Sequence, residues 1–223
     1  MARVIAIDGP SGAGKSSVSR IVGKKLGFLH VDSGALYRIM TWQALVRKVD
    51  TDNPEAVAAF APTVDIECRP ENGAIAYYVG GESPGERIRT PEINAHASQV
   101  ATVKAVRDRI TAILRGLTRF GDLVVEGRDI TTAVFPDSPA RFYLTASAEA
   151  RAMRRQKEEV EKGIANQSAA AVKASLLARD AIDSTRKYAP LRKADGAIEI
   201  DSSDLTLEQV VDIVLEKIHE TFD

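Results

Sequence analysis

One cysteine, Cys68, is present in 223 residues. An intrachain disulfide is therefore excluded, as is a zinc site built on several thiolates. Histidine is almost as scarce, and His30, His96 and His219 lie far apart with no metal-ligand spacing. Neither sign of charge dominates: 30 Lys and Arg face 31 Asp and Glu, a net charge of −1. No field of the whole molecule steers it towards nucleic acid or acidic lipid. No uncharged run approaches the ~20 residues of a transmembrane helix, and Arg3 and Asp8 bring charge too early for a signal peptide. A soluble cytoplasmic protein is expected. The composition, 44% apolar and 27% charged, is that of a folded globular chain. The length fits one domain with a small insert, enough to bury roughly 70–75% of the unfolded surface without staples.

Strands and helices alternate along the sequence. Val4-Ile5-Ala6-Ile7 is a short apolar, β-branched run, as in a strand buried on both faces. A glycine loop follows, Gly9 to Gly14. Lys15 to Leu26 then carries Val18, Ile21, Val22 and Leu26 at helical spacing, with Gly27 placed to end the helix in a left-handed turn. Further strands are predicted at Phe28–Val31, Leu123–Val125, Arg141–Leu144 and Ala197–Ile200. Ser147 is a predicted N-cap for a helix over Ala148–Lys162. Thr206 and Gln209 form a capping box, and Leu205 and Val210 a hydrophobic staple, at the start of a last helix. This order implies an α/β fold with a parallel sheet covered on both faces. One stretch, about Val49 to Thr90, departs from it: Thr63–Cys68 and Ala74–Val79 read as a small antiparallel element around a Pro70–Gly73 turn. The alanine-rich Ala165–Ala174 reflects helix-forming bias. Trp42 is expected in packing, Cys68 as an inert buried thiol, and His30 in a structural place.

Gly9-Pro10-Ser11-Gly12-Ala13-Gly14-Lys15-Ser16 fits G-x-x-x-x-G-K-[ST] at every fixed position. The glycines let successive N–H groups curl inward onto phosphate oxygens. The helix starting at Lys15 adds its N-terminal partial positive charge. Lys15 can reach the β- and γ-phosphates, and the Ser16 hydroxyl can bind Mg²⁺. A glycine turn that merely joins strand to helix would satisfy four fixed positions by chance. The buried strand before it and the amphipathic helix after it favour nucleoside triphosphate binding. The Asn-Lys-x-Asp run of GTPase switches is absent.

Four arginine-bearing segments stand out. Asp32-Ser33-Gly34-Ala35-Leu36-Tyr37-Arg38 and Glu126-Gly127-Arg128-Asp129 each follow a predicted strand, where open α/β sheets bind ligands. Arg179, Asp183 and Arg186 fall at i, i+4 and i+7, a single helix stripe. An exposed Arg179–Asp183 pair would be the plainer explanation, worth ~0–1 kcal/mol. Arg151, Arg154 and Arg155 share another face, where they repel unless an anion, or Glu158, Glu159 and Glu161, lies opposite. Arginine grips phosphate bidentately and keeps its charge. Two phosphate-bearing substrates are thus expected, one on the glycine loop and one among the arginines.

These motifs, together with Arg87-Ile88-Arg89-Thr90-Pro91-Glu92, Ala97-Ser98-Gln99-Val100, Val106-Arg107, Val134-Phe135-Pro136-Asp137 and Ala189-Pro190-Leu191, occur in the order and nearly the spacing of one family. Over essentially its whole length the sequence resembles bacterial cytidylate kinases, which are nucleoside monophosphate kinases. The glycine loop is common to many families; the combination of the Asp32–Arg38, Arg128–Asp129 and Arg179–Arg186 segments is far more specific. The resemblance implies a P-loop kinase fold with an inserted small monophosphate-binding domain and a lid. The implied boundaries are core 1–48, insert 49–97, core 98–150, lid 151–170 and core 171–223. It implies that ATP sits on Gly9, Pro10, Ser11, Gly12, Ala13, Gly14, Lys15, Ser16 and Ser17, with Arg151, Arg154 and Arg155 closing over it and Mg²⁺ on Ser16. Ser98, Arg107 and Asp183 would read cytosine and ribose, while Ser33, Tyr37, Arg38, Arg128, Asp129, Arg179 and Arg186 would surround ribose and monophosphate. A site that satisfies cytosine's exocyclic amine and acceptors strands its own polar groups when another base enters. Two departures are evident: Glu126 stands where the family often has Asp, and Thr131 where it has Gly. The loop Gly81–Glu86 also differs from the commoner pattern.

The implied reaction is phosphoryl transfer from ATP to CMP or dCMP, by an enzyme expected to be a monomer with no nucleic-acid or membrane partner. Lys15, Arg128, Arg186 and Asp129 are its expected catalytic residues, with Asp129 orienting an arginine or Mg²⁺ waters rather than acting as a base. Kinases for UMP, AMP or shikimate, and a nucleotide-dependent switch without an acceptor, are the competing readings. K15M is expected to fold normally and to lose turnover by ~10² or more, as removal of a preorganised charge donor does. Near-normal steady-state turnover in K15M would remove the assignment.

Overall fold

Five consecutive buried residues, Val4–Asp8, form β1, the strand on which the glycine loop is mounted. A computed structural model describes residues 2–161 and 168–222, apart from the side chains of residues 159 and 161. β1 lies inside a seven-stranded sheet of order β3-β4-β2-β5-β1-β6-β7. The other strands are β2 (Leu29–Asp32), β3 (Glu67–Glu71), β4 (Ala74–Tyr78), β5 (Leu123–Gly127), β6 (Ala140–Thr145) and β7 (Ile198–Asp201). All pairings are parallel except β3 with β4. The strands expected from the sequence outside the antiparallel element are present to within two residues at their ends.

The helices are α1 (Lys15–Leu26), α2 (Ser33–Val46), α3 (Pro54–Phe60), α4 (Pro91–Val100), α5 (Lys104–Gly116), α6 (Ala148–Glu161), α7 (Ala169–Thr185) and α8 (Leu207–Phe222). They cover both sheet faces. Val4, Ala6, Leu123 and Val125 point into a core with Leu36, Ile39 and Met40 of α2 and Ile110 and Leu114 of α5. Ile5, Ile7, Val124 and Phe142 point the other way, onto Val18 and Val22 of α1 and Val211 and Val214 of α8. Successive strand residues face opposite sides, so a strand covered on both must be apolar throughout. That is why β1 and β5 read as unbroken runs.

Local signals hold where one bond decides them. Gly27 closes α1 at φ 71°. The Ser147 hydroxyl accepts the Ala150 N–H at 3.2 Å. The Thr206 N–H donates to Gln209 and the Gln209 N–H donates to Thr206, the reciprocal box before α8. The predicted end of α6 at Lys162 lies outside the described residues, as do residues 162–167 of the expected lid and 165–167 of the alanine-rich segment.

The antiparallel element differs in detail from the sequence reading. Ala61–Thr63 is a 3-10 turn rather than the start of a strand. Pro70 and Glu71 belong to β3, and the turn is the left-handed pair Asn72 (φ 49°) and Gly73 (φ 77°). Pro70 is tolerated because β3 is an edge strand, where a missing N–H breaks no inner ladder. The hairpin extends the main sheet through His30 and Ala74, and the Tyr77 hydroxyl donates to the Asp32 carbonyl at 3.1 Å. Cys68 is buried, and burial pushes its thiol pKa up. Trp42 packs against the core with the Arg87 guanidinium 5.0 Å from its ring centre.

The order β5-β1-β6 places β1 where the chain's crossovers diverge, and open α/β sheets bind ligands at the carboxyl ends around that point. Gly9 begins the loop there with φ 150°, and a Cβ on it would lie 1.9 Å from the Leu144 carbonyl oxygen of β6. G9A is expected to destabilise the fold by at least ~1–3 kcal/mol through overpacking. Urea denaturation measures this, and a wild-type midpoint would contradict it.

Candidate active site

The glycine loop turns between the ends of β1, β5 and β6. Gly12 and Gly14 adopt φ 77° and 92°, and Gly14 caps α1 with no side chain bonded to its first turn. The leading amides of α1 are thereby left for an anion. Lys15 is buried and donates to the Pro10 carbonyl at 2.7 Å. Burial and the neighbouring Arg128 lower its pKa to about 7, against the opposing pull of Glu126, Asp8 and Asp180. Ser16 donates to Glu126 at the end of β5. Burial and the charge of Asp32 push the Glu126 pKa up. A hydroxyl and a carboxylate in contact, with a second carboxylate near, suit Mg²⁺, which takes one or two protein oxygens and keeps water and phosphate for the rest. The residues present therefore fit this ion, although no cluster of three His, Cys, Asp or Glu exists among the described residues.

A second set of charges lies beside the loop. Asp129 pairs with Arg107, and with Arg186 at 3.5 Å. Asp183 pairs with Arg186 at 3.4 Å and with Arg128 at 3.1 Å. Arg107 also donates to the Ala101 carbonyl at 3.1 Å, and its guanidinium lies 5.4 Å from the Tyr37 ring centre. Arg186 donates twice to the Ala189 carbonyl, at 2.6 and 2.9 Å, and Ala189 is held in the left-handed region at φ 46°. Three guanidiniums thus share two carboxylates. Burial and Arg107 lower the Arg186 pKa; burial opposes ionisation of Arg128, but Asp183, Glu126 and Asp180 raise its pKa. Tyr37 is pushed up by burial and by Asp129. A cavity of about 430 Å³ opens against Arg107, Asp129 and Ala189.

A third group forms a cationic wall. Arg38 donates to Asn94 and approaches the Ile88 carbonyl at 3.5 Å. Burial lowers its pKa, helped by Arg89, Arg155 and Arg128. Arg179 is lowered to about 10 by burial, Arg128 and Arg38. Ser33 is buried at the start of α2 and donates to the Glu126 carbonyl at 2.6 Å. Ser98 is buried on α4, one turn before Ala101, and no hydrogen bond joins it to the charged cluster among the described residues.

The expected helix stripe is modified. α7 ends at Thr185, so Arg186 is a C-cap residue in extended conformation. Asp183 pairs with Arg128 and Arg186 rather than forming an exposed bridge to Arg179. The three α6 arginines also diverge. Arg151 is buried against Asp180 and the Ser11 carbonyl. Arg154 bonds the Ser202 hydroxyl and carbonyl beyond β7. Arg155 pairs with Glu158 at 3.0 Å and faces the field of Arg38 and Arg179. Glu159 and Glu161 side chains lie outside what is described.

Sequence reasoning assigned no role to four residues that shape this site, although its motifs contain them: Asp8, Glu126, Arg89 and Asp180. Glu126 carried a signal, a carboxylate ending the buried Leu-Val-Val strand. Asp8 did too, as an acid closing an apolar run. Arg89, 3.5 Å from Asp32, and Asp180 are brought in by tertiary packing alone. Asp8 accepts the Ile130 N–H at 2.8 Å and the Thr131 N–H and hydroxyl at 2.7 and 2.6 Å. It so clamps the single π-helical turn Ile130–Val134 that follows Arg128 and Asp129. Thr131, where a glycine was the family expectation, supplies a donor instead of obstructing the backbone.

This fold and site define a P-loop phosphotransferase. The family model described as cytidylate kinase matches residues 5–220. The chain belongs to the cytidylate kinase family. It is 44% identical over 214 residues to the cytidylate kinase of Streptomyces griseus, covering 95% of this chain and 90% of the relative. It is 40% identical over 216 residues to that of a Geobacillus species, covering 97% and 96%. Among solved structures, an uncharacterised protein of Eubacterium ventriosum shares the fold, with TM-score 0.52 at 10% identity over 97% of this chain and 98% of that one.

Burial is the main cause that raises the Asp8 pKa from 3.8 to about 6, with the charge of Asp129 adding to it and the Thr131 and Ile130 donors opposing. Between about pH 4 and 6 the folded state therefore binds a proton that the unfolded chain does not. The Asp8 contribution to stability falls as pH rises through that window. T131V removes a charge-assisted bond and is expected to cost ~1.5–3 kcal/mol at pH 7.5. The cost should shrink at pH 5, where Asp8 is protonated. Urea denaturation at both pH values checks this; equal losses would contradict it.

Proposed function

We propose that the protein transfers the γ-phosphoryl group of Mg-ATP to CMP or dCMP, giving ADP and CDP or dCDP. The observation that carries this reading is the juxtaposition of an anion-binding glycine loop with a buried, carboxylate-oriented arginine set at the carboxyl ends of the central strands. Membership of the family supports the choice of acceptor.

An oxygen of the acceptor's own phosphate is the nucleophile. It attacks the γ-phosphorus as the bond to the β-phosphate oxygen breaks and ADP leaves. With a second pKa near ~6, a phosphate monoester is mainly dianionic at pH 7, so no general base is needed. The difficulty is the mutual repulsion of two polyanions, which makes positioning and neutralisation the main work. Lys15 and the α1 amides hold the ATP phosphates; Arg38, Arg128, Arg179 and Arg186 hold the monophosphate. Asp129 orients Arg107 and Arg186, consistent with its two ion pairs. Ser33 and Tyr37 line the ribose and phosphate side. Ser98, Arg107 and Asp183 read cytosine and ribose. Ser16 and Glu126 are the residues that would hold Mg²⁺, which would supply charge neutralisation to the ATP phosphates there.

We assign residues 49–97 to the acceptor-binding insert and 151–170 to a lid whose arginines exclude water over ATP. The protein is read as a cytoplasmic monomer with small-molecule partners, in keeping with its balanced charge; among the described residues no helix is long and apolar enough to cross a membrane.

ADP release from Mg-ATP, measured with CMP, dCMP, UMP, AMP, GMP, shikimate or no acceptor, tests the reading. Strong stimulation by CMP and dCMP alone is expected. Equal slow release in every tube would overturn the acceptor assignment.

A further inference from the structure

Asp180 lies on α7 immediately after Arg179, yet its carboxylate reaches the glycine loop. One oxygen accepts the Ser11 N–H at 3.1 Å and the other pairs with Arg151 of α6. Arg151 in turn donates to the Ser11 carbonyl at 3.0 Å and to the Ala146 carbonyl at 3.1 Å. A Cβ on Gly12 would lie 3.1 Å from the Arg151 Cβ, so the loop rests directly on α6. Both backbone groups of Ser11 are thus engaged, the N–H by α7 and the carbonyl by α6.

Two consequences follow from elementary electrostatics and geometry. Amides of a phosphate loop are donors to phosphate oxygens, and here a carboxylate holds one of them. Entering phosphates carry the same sign as Asp180 and compete with it for that amide and for Arg151. In addition, α7 carries Arg179 and Asp183 within its length and Arg186 at its C-cap. A displacement imposed on Asp180 is shared by these groups, because a hydrogen-bonded helix shifts as a unit. Arg179 is surrounded by the charges of Arg128, Arg38 and Arg155, so a small change in its position alters the field that an acceptor phosphate meets.

We infer that Asp180 is a positioning residue that couples occupancy of the phosphate loop to the placement of the acceptor-side groups on α7, with Arg151 as its counter-ion. The acceptor half of this coupling rests on the CMP reading above; the donor half does not.

The test uses D180N in the full chain, with Mg²⁺ and a non-hydrolysable ATP analogue at saturation. Hydrogen exchange is followed along α7, the loop and α1, and CMP affinity is measured by calorimetry with and without the analogue. In the wild type the analogue is expected to change α7 exchange and to shift CMP affinity by ~5-fold or more, a usual size for site-to-site coupling. In D180N the α7 response and the affinity shift should be lost, while protection of the loop and α1 by the analogue persists. A purely structural role would lower thermal stability without removing that selective response. Wild-type responses retained in D180N, or no α7 response in the wild type, would overturn the inference. An α7 response lost in D180N in a protein that does not bind CMP would uphold the coupling and overturn the acceptor reading. Should D180N fail to fold, R151Q/D180N removes both charges together and leaves none uncompensated; because Arg151 itself faces ATP, the analogue is then added until the double variant is saturated, and at that occupancy loss of the α7 response is expected while a retained response would overturn the inference.

Discussion

Asp129 and Asp183 hold Arg107, Arg128 and Arg186 inside the protein, and the candidate site depends on that compensation. A buried guanidinium without a partner costs several kcal/mol of desolvation. Two carboxylates cannot cancel three cations, so the cluster remains positive while being fixed in direction. That is the state suited to an incoming phosphate: the desolvation cost is already offset by the fold, and the residual charge is free to act on the ligand. It also explains why these arginines are not interchangeable with lysines. Each serves two or more acceptors in a planar fork, as Arg186 does with Asp129, Asp183 and the Ala189 carbonyl.

The sheet supplies the second constraint. β1 and β5 are parallel neighbours, with Asp8 opposite Gly127 in register. Asp8 therefore ends level with the turn that bears Arg128 and Asp129, and its carboxylate binds that turn through Ile130 and Thr131. The donor loop leaves from the same strand end at Gly9. The spacing between the glycine loop and the turn that bears Arg128 and Asp129 is thus set by strand register and one buried carboxylate. Asp180 adds a tie from the opposite direction, from α7 to Ser11.

Much of this was legible in sequence. The glycine loop, the unbroken apolar runs of β1 and β5, the Gly27 stop and the Thr206–Gln209 box are signals in which neighbouring residues determine the outcome. The Pro70–Gly73 turn was misplaced because proline is a turn residue in isolation, while an edge strand tolerates it. The α7 stripe extended one residue too far, since Arg186 leaves helical geometry to reach Asp129, a contact across 57 residues of sequence. The plain exposed-pair reading of Arg179 and Asp183 assumed solvent around them; packing against Arg128 and Arg186 replaces that solvent.

Local pattern alone specifies the α/β class, the anion-binding loop and the set of residue types needed for phosphoryl transfer. Periodicity and short motifs act over a few residues, and the chain carries them without reference to the rest. Only tertiary structure decided which carboxylate meets which arginine. It set Arg151 and Asp180 against Ser11 of the loop and Glu126 against Ser16. These outcomes depend on strand order and helix docking, which place residues more than a hundred positions apart within hydrogen-bond reach. No local propensity encodes such a distance.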